Sequence, residues 1–129
     1  DMTILIDPTS ATPLYEQIVQ QIQRQILSGT LPQGELLPGV RTLAADLSVS
    51  IITTRRAYEE LERDGYIKTL PGRGSIVSIE NREHLLELHR QEMRGWLERA
   101  VSAAKAAGVS REEIIEQISR LYDQAGEEK

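Results

Sequence analysis

Residues 37–78 constrain the fold more than any other part of the chain, reading LPGVRTLAADLSVSIITTRRAYEELERDGYIKTLPGRGSIVS. Apolar spacing predicts a helix over 40–47, with Leu43, Ala44 and Leu47 on its inward face. Ser48-Val49-Ser50 leaves room only for a tight turn. Val49 is its apolar plug, and Ser50 can cap the next helix by accepting from its first turn. That second helix, over 51–63, turns Thr54, Ala57, Tyr58 and Leu61 inward and leaves Thr53, Arg55, Arg56, Glu59 and Glu60 outward. Asp64-Gly65 stops it. Two short strands, 66–70 and 75–79, follow around Pro71-Gly72-Arg73-Gly74. The order is a helix-turn-helix followed by a wing, an arrangement suited to holding duplex DNA.

The flanks extend this unit on both sides. Residues 3–11 read as an extended lead-in, after which Thr12 is expected to cap a helix with Pro13 at its first position, where a missing N–H costs nothing. Leu14, Ile18, Ile22 and Ile26 recur every four residues, widened by Tyr15, Val19 and Leu27. Gly29 ends that helix, and residues 30–38 read as a loop. From 81 to 107 a long helix carries a stripe of Leu85, Leu86, His89, Met93, Trp96, Leu97, Ala100, Val101 and Ala104. Gly108 breaks it. Ser110-Arg111-Glu112-Glu113 is a capping box that opens a last helix, whose apolar face is Ile114, Ile115, Ile118, Leu121 and Tyr122; residues from about Gln124 are expected to fray.

The expected fold class is therefore mainly α with a small β-hairpin. A winged helix-turn-helix domain with its lead-in occupies 1–79, and a helical element occupies 80–129. Two helices joined by so short a link cannot bury both apolar faces alone. They could fold back on their own winged domain, but self-association covers them better and supplies the two-fold symmetry of paired recognition helices. The expected dimer interface comprises Met93, Trp96, Leu97, Ala100, Ile114, Ile118 and Leu121.

Charge runs against the DNA reading at first sight. The formal net charge is −5, and neither part is basic: residues 1–79 hold seven basic and nine acidic side chains, residues 80–129 eight and eleven. A DNA site must then be a local concentration of arginine, with Asp46, Glu59, Glu60 and Glu62 expected to face away. No apolar run approaches the roughly 20 residues that span a bilayer. With no cysteine and no secretory signal ahead of the first motif, a cytoplasmic location is expected. Enzymatic chemistry finds no support, and no cofactor or metal is expected. His84 and His89 lie five apart on one helix, roughly 140° around its axis, and form no joint face. Gly72-Arg73-Gly74 sits between strands, not ahead of a helix, so it is no nucleotide loop.

Leu37-Pro38, Arg41, Leu43-Ala44, Val49-Ser50, Thr53-Thr54-Arg55 and Gly72-Arg73-Gly74 together resemble the winged helix-turn-helix of the GntR family of bacterial transcription regulators. Residues 13–18, Pro-Leu-Tyr-Glu-Gln-Ile, are similar to that family's first helix, so the resemblance covers residues 4–79. The short remainder, without strands, and the Ile-Asp-Pro lead-in resemble the YtrA-like branch, whose helical tail serves dimerisation. The sequence departs from the pattern at Gly39, where a Ser commonly caps, and at Ile51, where larger members place an Arg. The resemblance implies a repressor that binds a palindromic operator as a homodimer. The principal rival is a winged-helix module that docks protein, whose face would carry more exposed apolar residues.

The DNA-binding residues expected are Arg41, Ser50, Ile51, Thr53, Arg55, Arg56, Gly72, Arg73 and Gly74. A recognition helix points its N-terminal residues at base edges. Arg55 suits a bidentate pair to guanine, and Arg56 suits phosphate; solvated surface arginine is the plain alternative for both. Ser50 can cap and also meet a phosphate. Ile51 or Ile52 can touch a thymine methyl, with core packing an equal alternative for Ile52. By the resemblance, Arg41 meets phosphate or base, a helix-surface ion pair being its alternative. Arg73 can enter a narrow minor groove, where Gly72 and Gly74 permit close backbone approach. A small-molecule effector could lodge at the dimer interface or between tail and winged domain.

Overall fold

The computed structural model describes residues 2–127. Its elements are α1 (Leu14–Leu27), α2 (Val40–Leu47), α3 (Ile51–Arg63), β1 (Ile67–Leu70), β2 (Gly74–Val77), α4 (Arg82–Ala106) and α5 (Arg111–Glu127). They fall into two compact units, Asp1–Leu85 and Leu86–Lys129.

In the first unit α3 is the central element, packed against α1, α2 and β1. Its inward stripe of Thr54, Ala57, Tyr58 and Leu61 meets Ile18, Val19, Ile22 and Ile26 of α1 in one apolar core that also takes in Leu43, Ile67, Val77 and Leu85. Thr54 is fully buried, and its hydroxyl donates to the Ser50 carbonyl at 3.2 Å. The polar atom at the heart of the stripe is thereby satisfied by its own helix. α1 starts one residue later than expected. Pro13 occupies the cap position and makes no side-chain cap bond, while the Thr12 carbonyl accepts from Gln17 at 2.9 Å. A helix-terminal left-handed residue follows at Gly29, with φ +86°.

The lead-in is fastened to α1 by three glutamines. Gln17 accepts from the Asp7 N–H at 2.8 Å and donates to the Asp7 carbonyl at 2.9 Å. Gln21 clasps Leu5 in the same two-way manner, at 2.8 and 2.6 Å, and Gln25 donates to the Thr3 carbonyl at 2.7 Å. The match is metric. Four helical residues rise about 6 Å, and two strand residues advance about 6.6 Å, so every fourth side chain meets every second residue of an antiparallel extended segment. The intervening Ile4 is thereby pressed into the core.

The wing is larger than its two strands. β1 and β2 pair antiparallel from Ile67 opposite Val77 to Leu70 opposite Gly74. The segment expected to be plain loop before α2 runs along the other edge of β2. Gly34 donates to the Val77 carbonyl at 2.8 Å, Val77 to the Glu35 carbonyl at 2.9 Å, and Leu37 to the Ser75 carbonyl at 2.9 Å. Both edges of β2 are thus satisfied.

The second unit is helical. α4 begins in the first unit, where Asn81 caps it by accepting from the His84 N–H at 3.0 Å, and in the second unit Ser110 caps α5 by accepting from the Glu113 N–H at 3.2 Å. α5 continues to Glu127, beyond the Gln124 at which fraying is expected from sequence. Met93, Trp96, Leu97, Val101, Ile115, Ile118, Leu121 and Tyr122 are all exposed, Trp96 at 51 %. Ala100 is exposed and Ile114 half-buried.

Candidate nucleic-acid interface

The start of α3 is built by Ser50. Its hydroxyl oxygen accepts from the Thr53 N–H at 3.0 Å and its proton goes to the Thr53 hydroxyl at 2.8 Å. With its one proton and one of its lone pairs used in the cap, Ser50 is a structural residue first. Thr53, accepting from Ser50, keeps its own hydroxyl proton for an outside acceptor. The turn before it bends at Ser48, the one described non-glycine residue with positive φ, at 56°. The strain of that conformation is modest for a small polar residue. The Tyr58 hydroxyl, on the inner face of α3, donates to the Pro38 carbonyl at 2.6 Å and so fixes the chain just ahead of α2 and Arg41. Burial pushes the Tyr58 phenol well above the ordinary tyrosine range.

The outward face of α3 carries Ile52, Arg55, Arg56 and Glu59, all exposed. Arg55 forms no ion pair among the described residues, and neither do Arg41 and Arg73. Arg56 is different. Its guanidinium lies over the Tyr15 ring of α1, 3.8 Å from the centroid, a cation–π contact that sequence spacing could not reveal because the two residues sit on different helices. Its N–H edges remain available to a phosphate. Glu59, expected to face away from DNA, is exposed. It follows Arg55 by four residues, about 40° round the helix, because the α-helical period returns it to the same face. Glu62 is engaged elsewhere, accepting from the Thr69 hydroxyl at 2.8 Å and its N–H at 3.3 Å.

The two isoleucines exchange expectations. Ile51 is half-buried, whereas Ile52 is 76 % exposed and takes no part in the core. At the wing tip the Arg73 N–H donates to the Leu70 carbonyl at 3.0 Å across Pro71 and Gly72, whose φ is +74°. Proline then left-handed glycine is the pattern of a type II turn, and it leaves Arg73 exposed. Among the described residues no group of three His, Asp or Glu side chains is placed to hold a metal ion, and no helix is long and apolar enough to cross a membrane.

The family model of bacterial regulatory proteins of the gntR family matches residues 14–77, from the start of α1 to the end of β2. The HTH-type transcriptional repressor YtrA of Bacillus subtilis is 40 % identical over 118 residues, spanning 92 % of this chain and 91 % of that protein. A GntR family transcriptional regulator from Listeria monocytogenes superposes with a TM-score of 0.70 at 32 % identity, covering 89 % of this chain and 98 % of that one. The AraR DNA-binding domain in complex with operator ORX1 superposes with a TM-score of 0.53 at 26 % identity, over 60 % of this chain and 96 % of that one. With its winged helix-turn-helix matched by the family model and nearly its whole length matched by a relative, the chain belongs to the GntR family of bacterial regulators.

Proposed function

We propose that the protein is a sequence-specific transcriptional repressor that binds a palindromic operator as a homodimer. The carrying observation is the outward start of α3, where Arg55 stands exposed and without an ion pair one turn after a capped helix N-terminus. In this reading α3 enters the major groove, Arg55 pairs with a guanine, Thr53 donates to a base or phosphate, and Arg56, steadied on Tyr15, meets the backbone. Arg41 reaches phosphate from α2, and Arg73 enters the minor groove from a wing tip that Gly72 and Gly74 keep slim. Support comes from relatives: one is named a repressor, and one solved domain is bound to its operator.

The exposed apolar faces of α4 and α5 support the homodimer. Met93, Trp96, Leu97, Ile118 and Leu121 are left open to water, a patch that a second copy would cover. An effector, if bound, would act by changing the spacing of the two recognition helices. The protein-docking alternative is disfavoured by the exposed arginines of α3 and the wing tip, Arg55, Arg56 and Arg73.

The test is a salt titration of fluorescence anisotropy on an operator duplex. Affinity should fall steeply with salt; Arg41→Ala should reduce the logarithmic slope by about 1.8, or about 0.9 per lost phosphate contact in a symmetric dimer, and Arg73→Ala should weaken binding through the lost minor-groove contact. Equal binding by native and substituted proteins at all salt concentrations would remove the DNA reading.

A further inference from the structure

Ile52 is an exposed aliphatic side chain in a place where folding has no use for one. It is the second residue of α3, 76 % exposed and outside the core. A polar residue there would serve the first turn of the helix equally well, since β-branched side chains add little helix propensity. It precedes Arg55 by three residues and Arg56 by four, so the three share one face. Its χ1 stiffness means little rotamer freedom is lost on contact.

The major groove offers an apolar group at one kind of base edge only, the 5-methyl of thymine. We propose that Ile52 is a specificity-determining residue that reads a thymine 5-methyl group in each operator half-site. The inference rests on α3 being the recognition helix. Three helical residues rise about 4.5 Å, against about 3.4 Å per base pair, which sets the thymine one or two base pairs from the guanine read by Arg55. Arg55 then reads hydrogen-bonding edges and Ile52 reads shape, so the pair distinguishes thymine from cytosine at a position that carries no bonded contact. The half-buried Ile51 supports the helix start from beneath.

The experiment uses the full chain and the duplex it enriches from a randomised pool. Each thymine in turn is replaced by deoxyuridine, which removes the methyl and leaves base pairing intact. Affinities are measured for the native protein, Ile52→Ala and Arg55→Ala. One thymine per half-site should weaken native binding about fourfold when demethylated, the equivalent of one buried methyl group. Ile52→Ala should be indifferent to the same replacement, while Arg55→Ala should still respond to it. Ile52 is exposed, so its truncation should leave the melting temperature unchanged. Native binding indifferent to every deoxyuridine overturns the proposal, as does a response that survives in Ile52→Ala. Failure of the pool to enrich any sequence overturns the DNA reading itself, and is distinguishable because no operator then exists to demethylate.

Discussion

Truncating the three glutamines that clasp the lead-in should produce a graded loss of stability. Gln17 is only 8 % exposed and makes three hydrogen bonds, to Asp7 in both directions and to the Thr12 carbonyl. Gln21 makes two, both to Leu5, and Gln25 makes one while its Oε1 is buried without a partner. At roughly 1 kcal/mol net per bond, with some recovery from water, Gln17→Ala should cost about 2–3 kcal/mol, Gln21→Ala about 1–2 and Gln25→Ala less than about 1. Gln25→Met should be nearly neutral, because it exchanges one bond for relief of an orphaned oxygen. Urea unfolding gives the order, and amide hydrogen exchange gives the cause. The Leu5 amide should lose protection in Gln21→Ala and the Asp7 amide in Gln17→Ala, each with the other retained. Equal destabilisation by all three, or a Leu5 amide unaffected by Gln21→Ala, would refute the ladder as the fastening of the lead-in.

Other substitutions probe the reading helix. Tyr15→Leu removes the ring beneath Arg56 while Tyr15→Phe retains it. A double-mutant cycle with Arg56→Ala should give about 0.5–1 kcal/mol of coupling in operator affinity for the leucine variant and almost none for the phenylalanine one. Ser50→Ala should cost about 1 kcal/mol in thermal or urea unfolding through loss of the cap, with Ser50→Asn close to native. The Tyr58 phenol is raised, so its contribution is complete below the ordinary tyrosine pKa near 10 and is lost as pH rises towards the folded value; alkaline unfolding should begin later in Tyr58→Phe, which cannot ionise. Asp7 is lowered by the Thr9 hydroxyl and N–H that donate to it, so its contribution is complete above the usual carboxylate range and fades as pH falls through the depressed value; Asp7→Asn should remove that acid-limb dependence from the melting temperature.

The helices were legible because each rests on local signals. Val40–Leu47 and Ile51–Arg63 coincide with their expected bounds, since caps, stop residues and 3.6-residue periodicity lie within each segment. What escaped depends on residues distant in sequence. The pairing of 34–37 with β2 joins segments some forty residues apart, and a proline- and glycine-containing stretch carries no strand pattern. The glutamine ladder was foreshadowed by its spacing at 17, 21 and 25, yet its partners are backbone atoms, which sequence does not display. Periodicity alone gives the outward placement of Arg55 and the inward stripe of α3, but the difference between Ile51 and Ile52 turns on which of two adjacent side chains the packing of α3 leaves outside. Sequence presents Arg56 as a phosphate contact or a solvated arginine and Tyr15 as part of the apolar stripe of α1, against whose core it does pack; the contact between the two crosses helices and shows in neither segment alone.

The proposed function requires that α3 read operator sequence through Arg55 in a symmetric pair. Enrichment from a randomised duplex pool, run in parallel on the native chain and on Arg55→Ala, tests it most directly. The native protein should enrich two inverted half-sites with a guanine in each, and Arg55→Ala should lose that guanine preference while retaining the remaining positions. A single unpaired site, or the same guanine preference in both proteins, would contradict it.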